Sequence, residues 1–356
     1  MSETDLRLDD FPYSNPGYGR KVAVVGVGSA GCRIASQLSK ESKLLEHFVY
    51  LTCDDHDIAN LTRGEKVLVD ATSKSKSTPY EVRGLAMSKI PQLRQQVKDS
   101  ELVIIISGLG GAVGSGLAPL VAREAKEKGV VSVAILVMPF SFEKARHYFA
   151  GGALKQLRDY ASGVILIDND ELLQNKEMPA IDAFSLVNQK IALAINKLLG
   201  AAETHEFSVG LNNVVDFVKT KSYSVLCIGE DSETAECRKA VLEAASHFDR
   251  IVDKTQASKS IVHVSADKSV TMNEVVTSIG GLSGILGNGT MQIEYGFSAN
   301  STSCPAAFIM ATGFSSTKFD NYDPVDRALR NKRSNMDEGF DSSLGIEMLV
   351  GNLERE

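Results

Sequence analysis

Two short runs of glycine hold the residues whose types and spacing could do chemistry. The first is Gly26-Val27-Gly28-Ser29-Ala30-Gly31, directly after Lys21-Val22-Ala23-Val24-Val25. The second is Gly108-Leu109-Gly110-Gly111-Ala112-Val113-Gly114-Ser115-Gly116, directly after Leu102-Val103-Ile104-Ile105-Ile106-Ser107. Glycine lets the backbone approach an anion and turn its N–H groups inward, and a helix that follows adds the positive end of its dipole. One such turn is an ordinary strand–helix connection. Two of them, about eighty residues apart, describe a site that grips a polyphosphate from two sides.

The elements that must position these loops follow from periodicity. Strand-like runs at Val22–Val25, His47–Thr52, Lys66–Val69, Leu102–Ser107, Val130–Met138 and Gly163–Ile167 alternate with amphipathic stretches at Ala30–Lys40, Tyr80–Lys98, Leu117–Lys128 and Ala145–Tyr160. Such alternation builds a mostly parallel sheet covered by helices. Pro179–Leu199 reads as a long helix whose Ile181, Phe184, Val187, Ile191, Ile195 and Leu198 form one buried stripe. A turn-rich loop is expected around Gly210–Asn213. Beyond it, strands at Ser224–Gly229, Ser260–Val264, Thr290–Phe297 and Ala306–Thr312, with helices at Glu233–Phe248 and Met272–Leu282, read as a smaller α+β domain.

The expected fold class is therefore α/β: a parallel-sheet, Rossmann-like nucleotide-binding domain, a long central helix and a smaller α+β C-terminal domain. The expected divisions are a flexible arm (1–19), the nucleotide-binding domain (20–178), the central helix and its connection (179–209), the C-terminal domain (210–314) and a mobile tail (315–356).

Composition excludes other classes. With 356 residues, 43% of them hydrophobic, there is material for two cores. A net charge of −7 argues against a broad basic surface for nucleic acid. The acidic N-terminal arm lacks the basic start and apolar centre of a signal peptide, so a cytoplasmic chain is expected, with no direct membrane insertion. Five scattered cysteines without a CxxC pair read as reduced, buried thiols, and no metal site of the protein itself is expected.

The first glycine loop alone also fits a dinucleotide fingerprint, with Asp54 and Asp55 near the place of a ribose-binding acid. The second loop argues against that reading, and displacement of GTP by NAD would revive it. The chain has no Walker A run ending in Gly-Lys-Ser/Thr.

Gly110-Gly111-Ala112-Val113-Gly114-Ser115-Gly116 resembles the tubulin/FtsZ signature GGGTG[ST]G. Gly116-Leu117-Ala118-Pro119, Met138-Pro139-Phe140-Ser141-Phe142-Glu143, Ile165–Leu173 and Asp182-Ala183-Phe184 continue the likeness in order, from about Arg20 to about Phe314. The resemblance implies a prokaryotic, FtsZ-like GTPase that binds GTP/GDP, with Mg²⁺ carried by the nucleotide, and assembles head to tail into protofilaments. By position, Gly28, Ser29, Ala30 and Gly31 would line the α- and β-phosphates. Gly110, Gly111, Ala112, Val113, Gly114, Ser115 and Gly116 would wrap them from the other side. Glu143 and Arg146 match the pair that bonds the ribose and orders the purine; a plain surface pair is the competing reading. Phe184 would stack on guanine and Asn188 would read its edge. From spacing alone, Phe184 belongs to the core and Asn188 is an ordinary helical amide.

Three departures bear on the chemistry. Ala112 and Val113 replace a glycine and a threonine, and the lost hydroxyl contact costs about 1.5–3 kcal/mol. The loop at Asp70–Pro79 has no glycine but offers Lys74 and Lys76, for the γ-phosphate or simply for solvent. In the family, a loop after the long helix inserts two acids into the neighbour's site to polarise water. Here that stretch is Asn212-Asn213-Val214-Val215-Asp216-Phe217-Val218-Lys219-Thr220. Asn212 matches, Val214 and Phe217 stand at the acidic positions, and Asp216 lies one residue out of register. Asp216 and Asn212 are thus the candidate catalytic residues, for slow hydrolysis completed between subunits. Two functions follow: a filament protein of cell division or cell shape, or a scarcely hydrolysing paralogue that caps, joins or regulates another FtsZ-type filament. The tail is a candidate site for an adaptor protein, although Leu344–Leu349 lacks the family's basic-hydrophobic peptide.

Overall fold

The apolar runs become strands and the amphipathic stretches become helices, in an order set by the glycine turns between them. The structure is a computed structural model that describes residues 21–323, apart from 43–44, 62, 71–76, 174–179, 200–210, 221, 288 and 301–303. The first half comprises β1 (Val22–Val27), α1 (Gly28–Glu41), β2 (His47–Thr52), β3 (Glu65–Leu68), α2 (Pro79–Ala86), α3 (Ile90–Val97), β4 (Leu102–Gly108), α4 (Ala112–Glu127), β5 (Val131–Met138), α5 (Lys144–Tyr160), β6 (Gly163–Asp168) and α6 (Asn169–Leu172). The second half comprises α7 (Ala180–Leu199), α8 (Leu211–Val218), β7 (Tyr223–Glu230), α9 (Cys237–His247), β8 (Lys259–Asp267), α10 (Met272–Gly280), α11 (Leu282–Ile285), β9 (Gln292–Asn300) and β10 (Ala306–Phe314).

These strands form one sheet in the order β3-β2-β1-β4-β5-β6-β7-β10-β8-β9. It is parallel from β3 to β7, and β10 runs antiparallel to both β7 and β8. The two halves join where Ile165 and Leu166 pair with Ser224 and Val225. Alternate strand residues supply two cores. Val25, Ile105 and Val241 lie on the face covered by α2–α5 and α9–α11; Val24, Ile104 and Ile195 lie on the face covered by α1, α7 and α8. β1 lies between β2 and β4, so strand order reverses between β1 and β4. In open α/β sheets the ligand crevice lies outside the carboxyl ends of the strands at that reversal. Both glycine loops leave there.

Some boundaries differ from the expected ones for physical reasons. The single helix expected over Tyr80–Lys98 is broken into α2 and α3 by a tight turn at Met87–Lys89, where Pro91 has no N–H to continue the preceding turn. The loop expected around Gly210–Asn213 gives way to α8 from Leu211. Val214, Val215, Phe217 and Val218 have the spacing of one helical face and are buried together. The tail expected to be mobile from Ser315 begins with a docked turn at Lys318–Tyr322, whose Phe319 is fully buried. The N-terminal arm, the loop carrying Lys74 and Lys76, and the tail from residue 324 lie outside the described residues. Among the described residues, no helix is long and apolar enough to cross a membrane.

The second half holds a buried histidine with a testable consequence. His263 of β8 is 2.9 Å from Ser298 Oγ, and burial, helped by the charge of Lys197, pushes its imidazole down to about 3. The unfolded chain takes up that proton near its ordinary value of 6.5, so stability is full above that pH and is lost as pH falls toward 3. At about pH 4.5 the loss attributable to this group is roughly 2–3 kcal/mol. Urea unfolding of wild type and His263→Gln at pH 7 and at about pH 4.5 checks it: the variant should show the smaller acid-induced decline.

Candidate functional site

The two loops meet. Gly28 opens α1 with φ 69°, and a Cβ built on it would lie 3.3 Å from the backbone N of Gly114 and 3.5 Å from Val113 Cγ1. Gly110 has φ 98°, and its N–H donates to Ser115 Oγ at 2.9 Å, which closes the second loop on itself. A Cβ on Gly31 would strike the carbonyl of Ile106, and one on Gly114 the carbonyl of Gly108, so glycine is required for α1 and α4 to sit this close to β4.

The helix starts are as informative as the loops. α1 and α4 have no side-chain cap and no acid in the first turn; their N-cap residues are Val27 and Gly111. Thr–Glu capping boxes close the starts of α2 and α10 at Thr78/Glu81 and Thr271/Glu274, whereas α3, α5 and α9 also start uncapped, so what sets α1 and α4 apart is that their starts meet. The first N–H groups of a helix need a partner. Two adjacent, uncapped, acid-free helix starts offer theirs to an anion of several charges, and the residues present fit a polyphosphate.

Asp57, which sequence reasoning passed over, braces the first loop. Its Oδ2 accepts from Ser29 Oγ at 2.6 Å and from Thr52 Oγ1 at 3.0 Å, and its Oδ1 lies 4.0 Å from Arg33. Its neighbours Asp54, Asp55 and His56 bring three exposed ligand atoms within 4.8 Å of one another. Asp54 is engaged there as the N-cap of its own turn, accepting from the His56 N–H, and the cluster is assigned no metal.

A second group of candidates adjoins the far side of the second loop. Arg146 Nη1 is 2.7 Å from Glu143 Oε1, and Glu143 Oε2 accepts from the Phe140 N–H at 3.2 Å. A Cβ on Gly110 would lie 2.8 Å from Arg146 Cβ and 3.3 Å from Pro139 Cβ, so the pair is held against the loop. Phe140, next along, is buried and packs edge-to-face with Phe184, with ring centroids 5.7 Å and planes 69° apart. In α7, Val187, Ile191, Ile195 and Leu198 form the expected stripe, but Phe184 leaves it at 46% exposure. The Phe184 side chain is therefore open to solvent in part, as a ring that stacks on a planar ligand must be. Asn188, one turn further along, is half-buried. The side chain of Ile181, placed by spacing in the same stripe, lies outside the described residues.

The candidate catalytic stretch sits on α8. Val214 and Phe217 are in the core beside α7. The Asp216 side chain is 75% exposed, 3.7 Å from Lys219 Nζ. Asn212 lies in the first turn of α8, and its side chain is outside the described residues.

Residues 21–177 match the Tubulin/FtsZ family, GTPase domain. The chain is 26% identical over 301 residues to Cell division protein FtsZ 2 of Haloferax volcanii, across 83% of this chain and 72% of that protein. Among solved structures it is similar to a mutant of FtsZ from M. jannaschii, with a TM-score of 0.74 and 23% identity over 85% of this chain and 94% of the other. It is also similar to CetZ2 from Haloferax volcanii, solved as a GTPγS-bound protofilament, with a TM-score of 0.65 and 18% identity over 88% of this chain and 99% of the other. These structural likenesses share the fold of an α/β sheet wrapped in helices.

Proposed function

From the match of residues 21–177 to the Tubulin/FtsZ family, GTPase domain, we propose a GTP-binding protein that assembles head to tail into cytoskeletal filaments and hydrolyses GTP slowly. The observation that carries the GTP reading is the meeting, at Gly28 and Gly114, of two helix starts that have no side-chain cap and no acid in their own first turn. In this reading Gly28–Gly31 and Gly110–Gly116 hold the phosphates, and Mg²⁺ enters with them. Glu143 and Arg146 meet the ribose and the purine, Phe184 stacks on the base, and Asn188 distinguishes guanine by a two-point amide contact. Self-association draws support from the name of the CetZ2 structure, a protofilament, and a place in cell division from that of the Haloferax relative.

Slow turnover rests on α8. The two positions where the family carries water-polarising acids are Val214 and Phe217, and both are buried. Loss of such an acid typically removes a factor of about 10² to 10⁴ in rate. The same observation favours a second reading, a paralogue that keeps GTP as an assembly ligand and caps, joins or regulates another filament. Phosphate release from GTP with Mg²⁺, measured across protein concentrations that span self-association, separates the two. A specific rate that climbs with concentration supports hydrolysis completed between subunits. A rate flat at background, with GTP retained, supports the second. Binding of NAD in preference to GTP would overturn both.

A further inference from the structure

The turn after β10 folds back onto the edge of the nucleotide site. Thr317 and Asp320 form a capping box over Lys318–Tyr322, which fixes the turn locally. Lys318 Nζ contacts the buried Asp168 carboxylate at the end of β6 and lies 4.0 Å from Asp170 Oδ2. Burial raises the Asp168 carboxyl above the usual carboxylate range, and Lys318 opposes the rise. Asp320 accepts from the Tyr223 hydroxyl at 2.6 Å, and Arg158 of α5 donates to the same oxygen at 3.1 Å. The Tyr322 ring stacks on His147, with centroids 3.7 Å apart and planes 10° apart. Gly151 gives the turn a notch in α5: a Cβ there would lie 2.5 Å from the Asp323 backbone N.

Two of these anchors also hold the segment that carries residues assigned to the nucleotide. His147 directly follows Arg146, and its Nε2 lies 2.9 Å from the carbonyl oxygen of Phe140, the residue that meets Phe184. Asp170 accepts from the Ser141 N–H at 3.2 and 3.1 Å. The strap therefore touches the 140–147 segment directly at His147 and reaches its other end through Asp170, which lies between Lys318 and Ser141; this segment carries Glu143 and Arg146 and borders Phe184.

We propose that the strap Lys318–Asp323 is a positioning element of the guanine-nucleotide site, with Tyr322 and Lys318 holding the 140–147 segment in its binding geometry. The inference rests on the GTP reading above and deepens it. Coupling between two sites is reciprocal, so bound nucleotide must tighten the strap by the factor by which the strap tightens the nucleotide. Because residues 324–356 continue directly from Asp323, a partner that pulls on the tail acts on this element.

The chain contains no tryptophan, so Tyr322→Trp in the full chain places its single indole on His147. The expected result is an emission change on adding GTP that tracks binding measured independently by equilibrium dialysis. Tyr322→Ala and Lys318→Met should each weaken GTP binding by about tenfold, within the usual range for coupled sites. Tyr322→Phe, which keeps the stacked ring, should restore the affinity. A strap that serves only to bury its own Phe319 predicts something else: the Tyr322→Ala variant loses thermal stability but binds GTP as wild type does, and the indole stays silent. That outcome overturns the coupling alone. A wild-type chain that fails to bind GTP overturns the underlying reading and the coupling with it.

Discussion

Gly114→Ala is expected to abolish guanine-nucleotide binding at concentrations that saturate the wild type. A Cβ at this position would strike the Gly108 carbonyl oxygen and come within 2.9 Å of Ser107 Oγ. Both belong to β4, which is paired on either side by β1 and β5, so the strand has no room to yield. The start of α4 must move instead, and it is this start that approaches Gly28 of the first loop. Overpacking alone costs about 1–3 kcal/mol. Each charge-assisted hydrogen bond lost as the N–H groups turn away costs about 1.5–3 kcal/mol more. Two such bonds amount to about two to four decades in affinity. Titration with a fluorescent GTP analogue reads the loss, and thermal unfolding reads the strain. Gly152→Ala is the control: its Cβ meets nothing within 4 Å on α5, so binding should be unchanged. A folded Gly114→Ala chain with wild-type affinity would show that the nucleotide lies elsewhere.

That site was legible in the sequence wherever chemistry and local structure used the same residues. The glycine loops announced themselves because an apolar strand, a glycine turn and a helix are contiguous, and the reversal of strand order placed both at one crevice. Contacts between distant residues were not legible. Asp57 reaches Ser29 across 28 positions, and no local pattern marks it. Phe184 has the spacing of a core residue, and only tertiary packing shows that the stripe on α7 is buried from Val187 onward while this ring meets Phe140 at the edge. α8 was hidden by Gly210, Asn212 and Asn213, turn formers whose local preference is overridden by the burial of four apolar side chains in two turns. The strap reads as polar and solvated because its anchors are ion pairs, the Tyr223–Asp320 hydrogen bond, one aromatic stack and the single buried Phe319, none of which a hydrophobic period reports.

Restoring the family's acids at Val214 and Phe217 is expected to unfold the protein rather than speed hydrolysis. Val214 is 1% and Phe217 4% exposed, in the core cluster that contains Ile191 and Ile195 of α7. An aspartate at either place removes apolar contacts and leaves a buried carboxylate to protonate or find a partner. Breaking a core in this way costs about 3–5 kcal/mol, against a total stability of about 5–15 kcal/mol for a typical domain. Circular dichroism on Val214→Asp/Phe217→Asp should show loss of the folded state, with no gain in phosphate release. Asp216 is the contrasting case. On a helix it points about 200° from Val214 and about 100° from Phe217, and its exposed pairing with Lys219 is worth about 0–1 kcal/mol. Asp216→Ala should therefore fold normally, and its rate becomes diagnostic. A fall of about 10² or more, restricted to concentrations where subunits associate, would make Asp216 the acid that replaces the missing pair. An unchanged rate would mean that α8 has exchanged its catalytic face for a packed one, with GTP left to govern assembly.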